Sequence, residues 1–161
     1  MGYKSIILLC LFVLTGCFYS FKGSLPGHLK SIAIPLFDDN TGYPNIREDL
    51  TNMVVDKFIE DNSLRVTDIS DADVLITGKI LSITQKAAVL KAGETVEDYN
   101  IYVNVKVSCE DVLNSRKLWE KSIQQYGTMS ASGQQEERDQ AVRDALEAIS
   151  DDIINNTIGY W

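Results

Sequence analysis

The alternation of side chains over residues 99–109 constrains the fold of this 161-residue chain more than any other feature. Every second position from Tyr99 to Cys109 is apolar, and the residues between them are mostly polar. Because successive side chains of a strand point to opposite faces, this pattern predicts a strand. One of its faces should be buried, and the other should be solvated or covered by something else.

Four other segments have strand composition. Residues 31–37 are rich in β-branched and apolar residues, but Pro35 cannot donate a ladder hydrogen bond and favours an edge position or a bulge. Residues 64–67 can form a short strand, residues 74–80 alternate in the manner of a strand, and residues 118–128 form a returning strand. Between them the chain is expected to leave the sheet near residues 85–94.

Apolar residues at helical spacing predict two amphipathic helices, over residues 46–61 and over about 135–156. Asn45, with Glu48 three residues later, predicts a capping box at the start of the first helix. The element order β-α-β-β-β-α favours an α/β (α+β) domain. We expect a two-layer sandwich with a roughly four-stranded mixed sheet and two helices on one face.

The N-terminus predicts a lipoprotein signal peptide. The apolar run Ile6–Leu14 has nine residues, about 14 Å as a helix, which is too short to span a bilayer. It is followed by Leu14-Thr15-Gly16-Cys17, which resembles the bacterial lipobox, so residues 1–16 are expected to be removed and Cys17 to be acylated. Residues 17–30 form a short tether, and residues 31–161 form the folded domain. Phe18 stands where an aspartate would signal inner-membrane retention, which points to the outer membrane.

The remaining cysteine and histidine do not suggest chemistry. Cys10 lies in the segment that is removed, so Cys109 is the one thiol left in the folded domain and no intramolecular disulfide can form. Cys109 is in phase with the apolar positions of its strand, which predicts a small buried hydrophobic side chain. His28 is expected to be a surface loop residue.

Charge and motif content exclude several classes of function. With 15 basic and 23 acidic residues the net charge is −8, the wrong sign for holding a nucleic-acid backbone. The sequence has no nucleophile elbow, no P-loop, no glycine-rich dinucleotide turn and no pair of metal ligands on a helix. We therefore expect no enzyme, no bound metal and no cofactor other than the covalent lipid on Cys17.

Several short motifs are spread over the mature chain: Cys17 to Pro26, Lys30 to Phe37, Asn40-Thr41-Gly42, Leu50-Thr51, Ala72 to Gly78, Leu118-Trp119-Glu120 and the terminal helix. Together these segments resemble LptE, the lipopolysaccharide-assembly lipoprotein family of the outer membrane. Phe18 stands where the family usually has glycine. The resemblance implies a protein at the periplasmic face of the outer membrane that assembles with and plugs the β-barrel LptD and contacts lipopolysaccharide.

The distribution of charge indicates where a polyanion would be contacted. Residues 79–121 carry seven basic and six acidic side chains, a net charge of +1, whereas the rest of the mature chain has a net charge of −10. The lipopolysaccharide contacts are therefore expected at the loops of this strand region. The candidates are Lys86, Lys91, Arg116 and Lys117.

A second class of outer-membrane lipoprotein has a similar first strand. Activators of peptidoglycan synthases of the LpoB type begin a small α/β domain with a strand like residues 32–37, followed by an Asn-Thr turn. Those proteins cross the periplasm on long tethers. Here about thirteen residues separate Cys17 from the first strand, at most about 45 Å when extended, which favours a partner in the same membrane.

Overall fold

The computed structural model describes residues 26–88 and 97–159 of the chain. The elements in chain order are β1 (Ser31–Ala33), β2 (Asp38–Asp39), α1 (Ile46–Asp61), β3 (Arg65–Val66), β4 (Val74–Ala87), β5 (Asp98–Asp111), β6 (Arg116–Ser130) and α2 (Gln135–Ile158). A short 3₁₀ turn, Ile69–Asp71, precedes β4. Over these residues, neither helix combines the length and the apolar character needed to cross a membrane.

All strands belong to one mixed sheet. Five of them lie in the order β3-β1-β4-β5-β6, and β2 pairs with β4 beyond the end of β1. Strands β1 and β3, β1 and β4, and β2 and β4 pair in parallel, whereas β4, β5 and β6 form an antiparallel meander. The predicted class, a mixed sheet with two helices, is confirmed. The prediction of roughly four strands in the order β-α-β-β-β-α is wrong, because the described residues form a sheet of six strands.

The additional strands have local causes. The strand predicted over residues 31–37 is interrupted around Pro35, which cannot donate to the ladder, and resumes as β2. Ile32 pairs with Val74 and Asp38 pairs with Lys79, so the chain advances six residues here while β4 advances five. The sixth strand is the two-residue β3, within the segment expected to form a short strand, and β4 continues to Ala87 rather than ending near residue 85.

The helix boundaries agree closely with the sequence, but the cap of α1 does not. Helix α1 covers the predicted residues, and α2 extends two residues further than predicted. Asn45 has a left-handed backbone (φ 57°) and its side chain makes no capping hydrogen bond. A capping side chain reaches the first-turn amides from an extended backbone, so the predicted capping box is wrong. Glu48 instead accepts a hydrogen bond from Arg47 Nε at 2.9 Å.

Both helices cover the same face of the sheet, and the hydrophobic core lies between them and the strands. Alternate residues of β5 contribute fully buried side chains to this core, including Val103 and Val105. Phe37 follows the break at Pro35, is 1% exposed, and lies across Gly78 of β4. A Cβ atom at Gly78 would overlap the Phe37 ring, so the absence of a side chain there makes room for the aromatic one.

Helix α2 approaches β6 most closely at Gly127. A Cβ atom built on Gly127 would lie 2.7 Å from both the Cα and the carbonyl carbon of Ala141, and closer still to its carbonyl oxygen. The contact is therefore between backbone and backbone. It sets the distance between the second helix and the edge of the sheet.

Candidate functional site

The face of the sheet that the helices leave uncovered is polar. Residues of β5 that alternate with the core positions lie on this face, and the strand register places side chains of β4 and β6 beside them. We call this surface the open face. Its central rows are Ser82, Asn104 and Gln124, then Lys79, Lys106 and Ser122, then Thr77, Ser108 and Glu120. The alternation that predicts one buried and one exposed face is therefore confirmed.

One end of the open face carries aromatic side chains beside a cation. The rings of Tyr102 and Tyr126 lie with their centroids 5.2 Å apart, and Tyr126 is 50% exposed. Lys86 Nζ lies 5.0 Å from the centroid of the Tyr102 ring, within the range of a cation–π interaction. We call these three residues the tyrosine patch. Sequence reasoning missed the two tyrosines, although an aromatic residue in the solvated phase of β5 was a visible signal.

Further along the open face, one carboxylate forms ion pairs with two lysines. Glu120 Oε1 lies 2.8 Å from Lys106 Nζ, and Glu120 Oε2 lies 2.9 Å from Lys117 Nζ. Hydrogen bonds from Lys106 and then from Lys117 lower the pKa of Glu120 to about 2. Lys117 would therefore have to share or release Glu120 in order to bind an external anion.

The basic residues singled out from the sequence do not converge. Lys86 pairs with Asn100 near one end of β5, whereas Arg116 pairs with Asp111 at the other end. Asn100 and Asp111 are eleven positions apart, which corresponds to roughly 37 Å of strand, so one phosphate group cannot contact both ends. Arg116 and Lys117 are neighbours at the start of β6. Lys91 and Cys17 lie outside the described residues.

A polar cluster ties the N-terminal segment to the turn between β5 and β6. The Asp111 carboxylate is fully buried and accepts hydrogen bonds from His28 Nε2 at 2.9 Å and from Asn114 Nδ2 at 2.7 Å. Burial raises the pKa of Asp111, but the hydrogen bonds from Asn114 and His28 outweigh it and bring the pKa to about 2. His28 is exposed, as predicted. Its hydrogen bond with Asp111 holds the N-terminal segment against the β5–β6 turn, and the sequence did not indicate this contact because the two residues are 83 positions apart.

A second carboxylate fastens the first strand to β4. Asp73 Oδ2 accepts hydrogen bonds from the backbone amides of Lys30 and Ser31 and from Ser31 Oγ, at 2.9 to 3.0 Å. Ser31 Oγ in turn accepts a hydrogen bond from the amide of Asp73. The hydrogen bond from the Lys30 amide, followed by that from the Ser31 side chain, lowers the pKa of Asp73. Asp73 belongs to the Ala72–Gly78 motif, and its role in that motif is to hold the first strand beside β4.

A cleft of about 330 Å³ lies between the start of α1 and the start of α2. Tyr43 Oη donates to the Asp139 carboxylate on its wall, and Gln135 Nε2 donates to the same oxygen at 2.7 Å. Burial, and then the hydrogen bond to Asp139, raises the pKa of Tyr43 to about 12. Tyr43 therefore connects the segment before α1 to the first turns of α2.

The described residues contain little that suggests reactivity. Cys109 is fully buried, as predicted, and burial followed by the nearby Glu110 charge raises the pKa of its thiol to about 12. Such a thiol is a poor nucleophile at neutral pH. Within residues 26–88 and 97–159, no group of three or more His, Cys, Asp or Glu side chains could hold a metal ion.

The sequence matches one family model over most of its length. The model is that of LptE, described as lipopolysaccharide-assembly, and it covers residues 29–157. The chain belongs to the LptE family. Proteins of this family are cofactor-free lipoproteins, and the chain is accordingly an outer-membrane lipoprotein of lipopolysaccharide assembly. No curated protein matches the chain in a direct sequence comparison.

Solved structures of other proteins share the fold of this LptE family member. A hypothetical protein of Chlamydia trachomatis matches 82% of this chain and 97% of its own, with a TM-score of 0.66 and 11% identity. The rare lipoprotein B of Shewanella oneidensis matches 77% and 94%, with a TM-score of 0.54 and 13% identity. A minor lipoprotein of Acinetobacter baumannii matches 82% and 94%, with a TM-score of 0.54 and 10% identity. At these identities the likeness concerns the fold.

Proposed function

We propose that this LptE family member assembles with an LptD-type β-barrel, occupies its lumen, and contacts lipopolysaccharide on its way to the outer leaflet. The family match over residues 29–157 is the observation that carries this proposal. We further propose that residues 1–16 are removed as a signal peptide, that Cys17 is acylated, and that residues 17–30 tether residues 31–161 to the periplasmic face. In this role the protein is a binding partner rather than an enzyme.

The open face supports the role of a plug. The lumen of a large membrane β-barrel is polar, so a domain inside it needs a polar surface that does not demand burial in lipid. The open face offers Asn104, Ser122 and Gln124 at its centre, and the core behind it is closed by the helices. The fold thus presents one extended polar surface of three long strands without exposing its core.

Copurification from native membranes tests the partner. We expect a tagged chain, extracted in mild detergent and washed stringently, to retain one large outer-membrane β-barrel in nearly equimolar amount, as measured by mass spectrometry. The Cys17→Ala variant serves as the control: its precursor should remain unacylated and uncleaved, and the barrel should be recovered poorly. Recovery of a peptidoglycan synthase in place of the barrel would assign the protein to the second class, the LpoB-like activators.

The basic candidates make two separate contributions to lipopolysaccharide binding in this proposal. Lys86 would act at one end of the sheet, and Arg116 with Lys117 at the other; Lys91, outside the described residues, is the fourth candidate. We expect Lys86→Ala and the double variant of Arg116 and Lys117 each to weaken binding about three- to tenfold, because an exposed charge-assisted hydrogen bond contributes roughly 1 kcal/mol. The two effects should add, since the sites are far apart.

Direct binding of purified lipopolysaccharide to each variant measures these contributions. Arg47→Ala is a matched control, because Arg47 is also an exposed cation paired with a glutamate but lies on α1, away from the open face. Replacing all four candidates with alanine should leave assembly with the barrel intact. Unchanged lipopolysaccharide affinity in the fourfold variant would remove these residues from the proposal.

A further inference from the structure

The tyrosine patch is held together by side chains from three neighbouring strands. Lys86 of β4 lies over the Tyr102 ring of β5, with Nζ 5.0 Å from the ring centroid. Tyr102 also contacts Tyr126 of β6, which is directly opposite it in the strand register, at a centroid distance of 5.2 Å and an angle of 44° between the rings. Cation–π and aromatic contacts of this geometry are attractive. The Tyr126 ring is therefore held in a defined position.

Much of the Tyr126 ring is open to solvent. Strand β6 is the last in the sheet order, so Tyr126 has a neighbouring strand on only one side within residues 26–88 and 97–159. Tyr102 is half-buried between its two neighbours, whereas Tyr126 is 50% exposed. The hydrophobic core lies on the opposite face of the sheet and does not include Tyr126. This aromatic surface is consequently available to a ligand.

Uncharged hydrogen-bonding groups lie next to the exposed ring. Asn104 and Gln124, which we call the amide pair, are directly opposite each other in the register. They follow Tyr102 and precede Tyr126 by two residues, which corresponds to about 7 Å along each strand. Neither the amide pair nor the hydroxyl group of either tyrosine forms a side-chain hydrogen bond with another described residue. These donors and acceptors are thus uncommitted.

The other half of the open face is different, because its polar groups bind one another. Glu120 forms ion pairs with Lys106 and Lys117. Ser108 Oγ donates a hydrogen bond to Glu110 Oε1 at 3.3 Å. A ligand at that half would have to displace these contacts, whereas a ligand at the tyrosine patch and the amide pair would not.

An exposed aromatic ring beside uncommitted amides and a cation matches the chemistry of an anionic sugar. The C–H groups on the faces of a hexose ring pack on aromatic rings, and the hydroxyl groups at its rim need hydrogen-bond donors and acceptors. An ammonium group at the same place binds a phosphate or carboxylate substituent. An acyl chain would instead need an apolar groove, and inorganic phosphate would make no use of the ring.

We propose that Tyr126 is a stacking platform for a sugar ring of the lipopolysaccharide headgroup, with the amide pair binding the sugar hydroxyl groups and Lys86 binding an attached anionic group. This proposal rests on the proposed function and names the part of lipopolysaccharide that the open face contacts. One hexose unit can bridge the separation of about 7 Å between the tyrosine row and the amide pair. The contact uses only the polar surface of the sheet, so it is compatible with a domain inside a barrel lumen.

Calorimetric titration with chemically deacylated lipopolysaccharide tests the platform on the protein purified from membranes in mild detergent. Tyr126→Ala removes the ring, and Tyr126→Phe keeps the ring but removes the hydroxyl group. Ile59→Ala is the matched control, because Ile59 is 60% exposed but lies on α1, away from the open face. Circular dichroism verifies that each variant is folded.

We expect Tyr126→Ala to weaken binding about fivefold or more, because the stacking surface is lost, and Tyr126→Phe and Ile59→Ala to stay within about twofold of the wild type. The effect of Tyr126→Ala should persist at high salt, since the ring contact is not ionic, whereas that of Lys86→Ala should shrink. Equal weakening by Tyr126→Ala and Tyr126→Phe, or an effect of Tyr126→Ala that disappears at high salt, would overturn the platform. Unchanged binding in Tyr126→Ala would overturn it as well.

Two comparisons separate this proposal from the proposed function. A wild type that retains the barrel and binds intact lipopolysaccharide, but not the deacylated form, would refute the headgroup contact alone. A wild type that binds neither the barrel nor intact lipopolysaccharide would refute the proposed function and the platform with it. Soluble peptidoglycan fragments that bind more tightly than deacylated lipopolysaccharide, and lose affinity in Tyr126→Ala, would assign the ring to a different glycan and overturn the proposal.

Discussion

The Gly127→Ala variant is expected to lose about 3 kcal/mol or more of unfolding free energy, the upper range for overpacking in a close-packed interior. The added Cβ atom would lie 2.7 Å from the Cα and carbonyl carbon of Ala141, which belong to the backbone of α2. A helix backbone cannot move aside as a side chain can. Helix α2 would have to shift as a whole, and its contacts with the sheet, including those of Leu146 and Ile149, would loosen.

Urea denaturation followed by circular dichroism measures this loss. Gly27→Ala is the matched control, because a Cβ atom at Gly27 meets nothing within 4 Å. That control should stay within about 0.5 kcal/mol of the wild type, as surface substitutions usually do. A Gly127→Ala variant as stable as this control would show that α2 is not held by the close approach to β6.

The Asp73→Ala variant is expected to destabilise the domain by about 3 kcal/mol at neutral pH, because hydrogen bonds to a charged group contribute about 1.5–3 kcal/mol and their loss is not fully additive. Its carboxylate accepts hydrogen bonds from the Lys30 amide and from the amide and hydroxyl of Ser31. Ser31 is 4% exposed, so its amide would be left without water, whereas its hydroxyl could still donate to the carbonyl oxygen of Asp71 at 3.0 Å. Asp71→Ala is the control, since Asp71 is exposed and two residues away.

The effect of Asp73→Ala should depend on pH in a defined direction. The pKa of Asp73 is lowered in the folded state from its ordinary value of 3.8, chiefly by the hydrogen bond from the Lys30 amide. A lowered pKa stabilises the fold above the unfolded pKa, and this stabilisation disappears as the pH falls through the folded pKa. The difference in unfolding free energy between wild type and variant should thus be largest near pH 6 and shrink towards pH 2. A difference that grows on acidification would contradict this account.

The candidate site was accessible from the sequence only in part. The alternation over residues 99–109 correctly indicated the open face, because period two directly reports which side chains share a side of a strand. The same pattern could not show that Tyr102 lies beside Tyr126 and Lys86, since those residues come from other strands. Nor could it show that Lys86 and Arg116 lie at opposite ends of the sheet.

The sequence alone determined the features that arise from contacts between near neighbours. The apolar spacing determined both helices, and the alternation in β5 determined a sheet covered on one side. A local sequence signal was misleading where the same residue type is favoured in two different backbone conformations. Asn45 has a capping side chain, but it also tolerates a left-handed backbone, and the structure uses the second property.

Only the tertiary structure decided the features that depend on residues far apart in the chain. The hydrogen bond between His28 and Asp111 joins residues 83 positions apart, and the one between Ser31 and Asp73 joins residues 42 positions apart. The division of the first strand at Pro35, with both parts pairing to β4, became apparent only from the register. Periodicity records which face a residue takes, whereas the partner on that face follows from packing the whole chain into one core. The family match could be obtained from the sequence, but the meeting of Tyr102, Tyr126 and Lys86 from three strands required the fold.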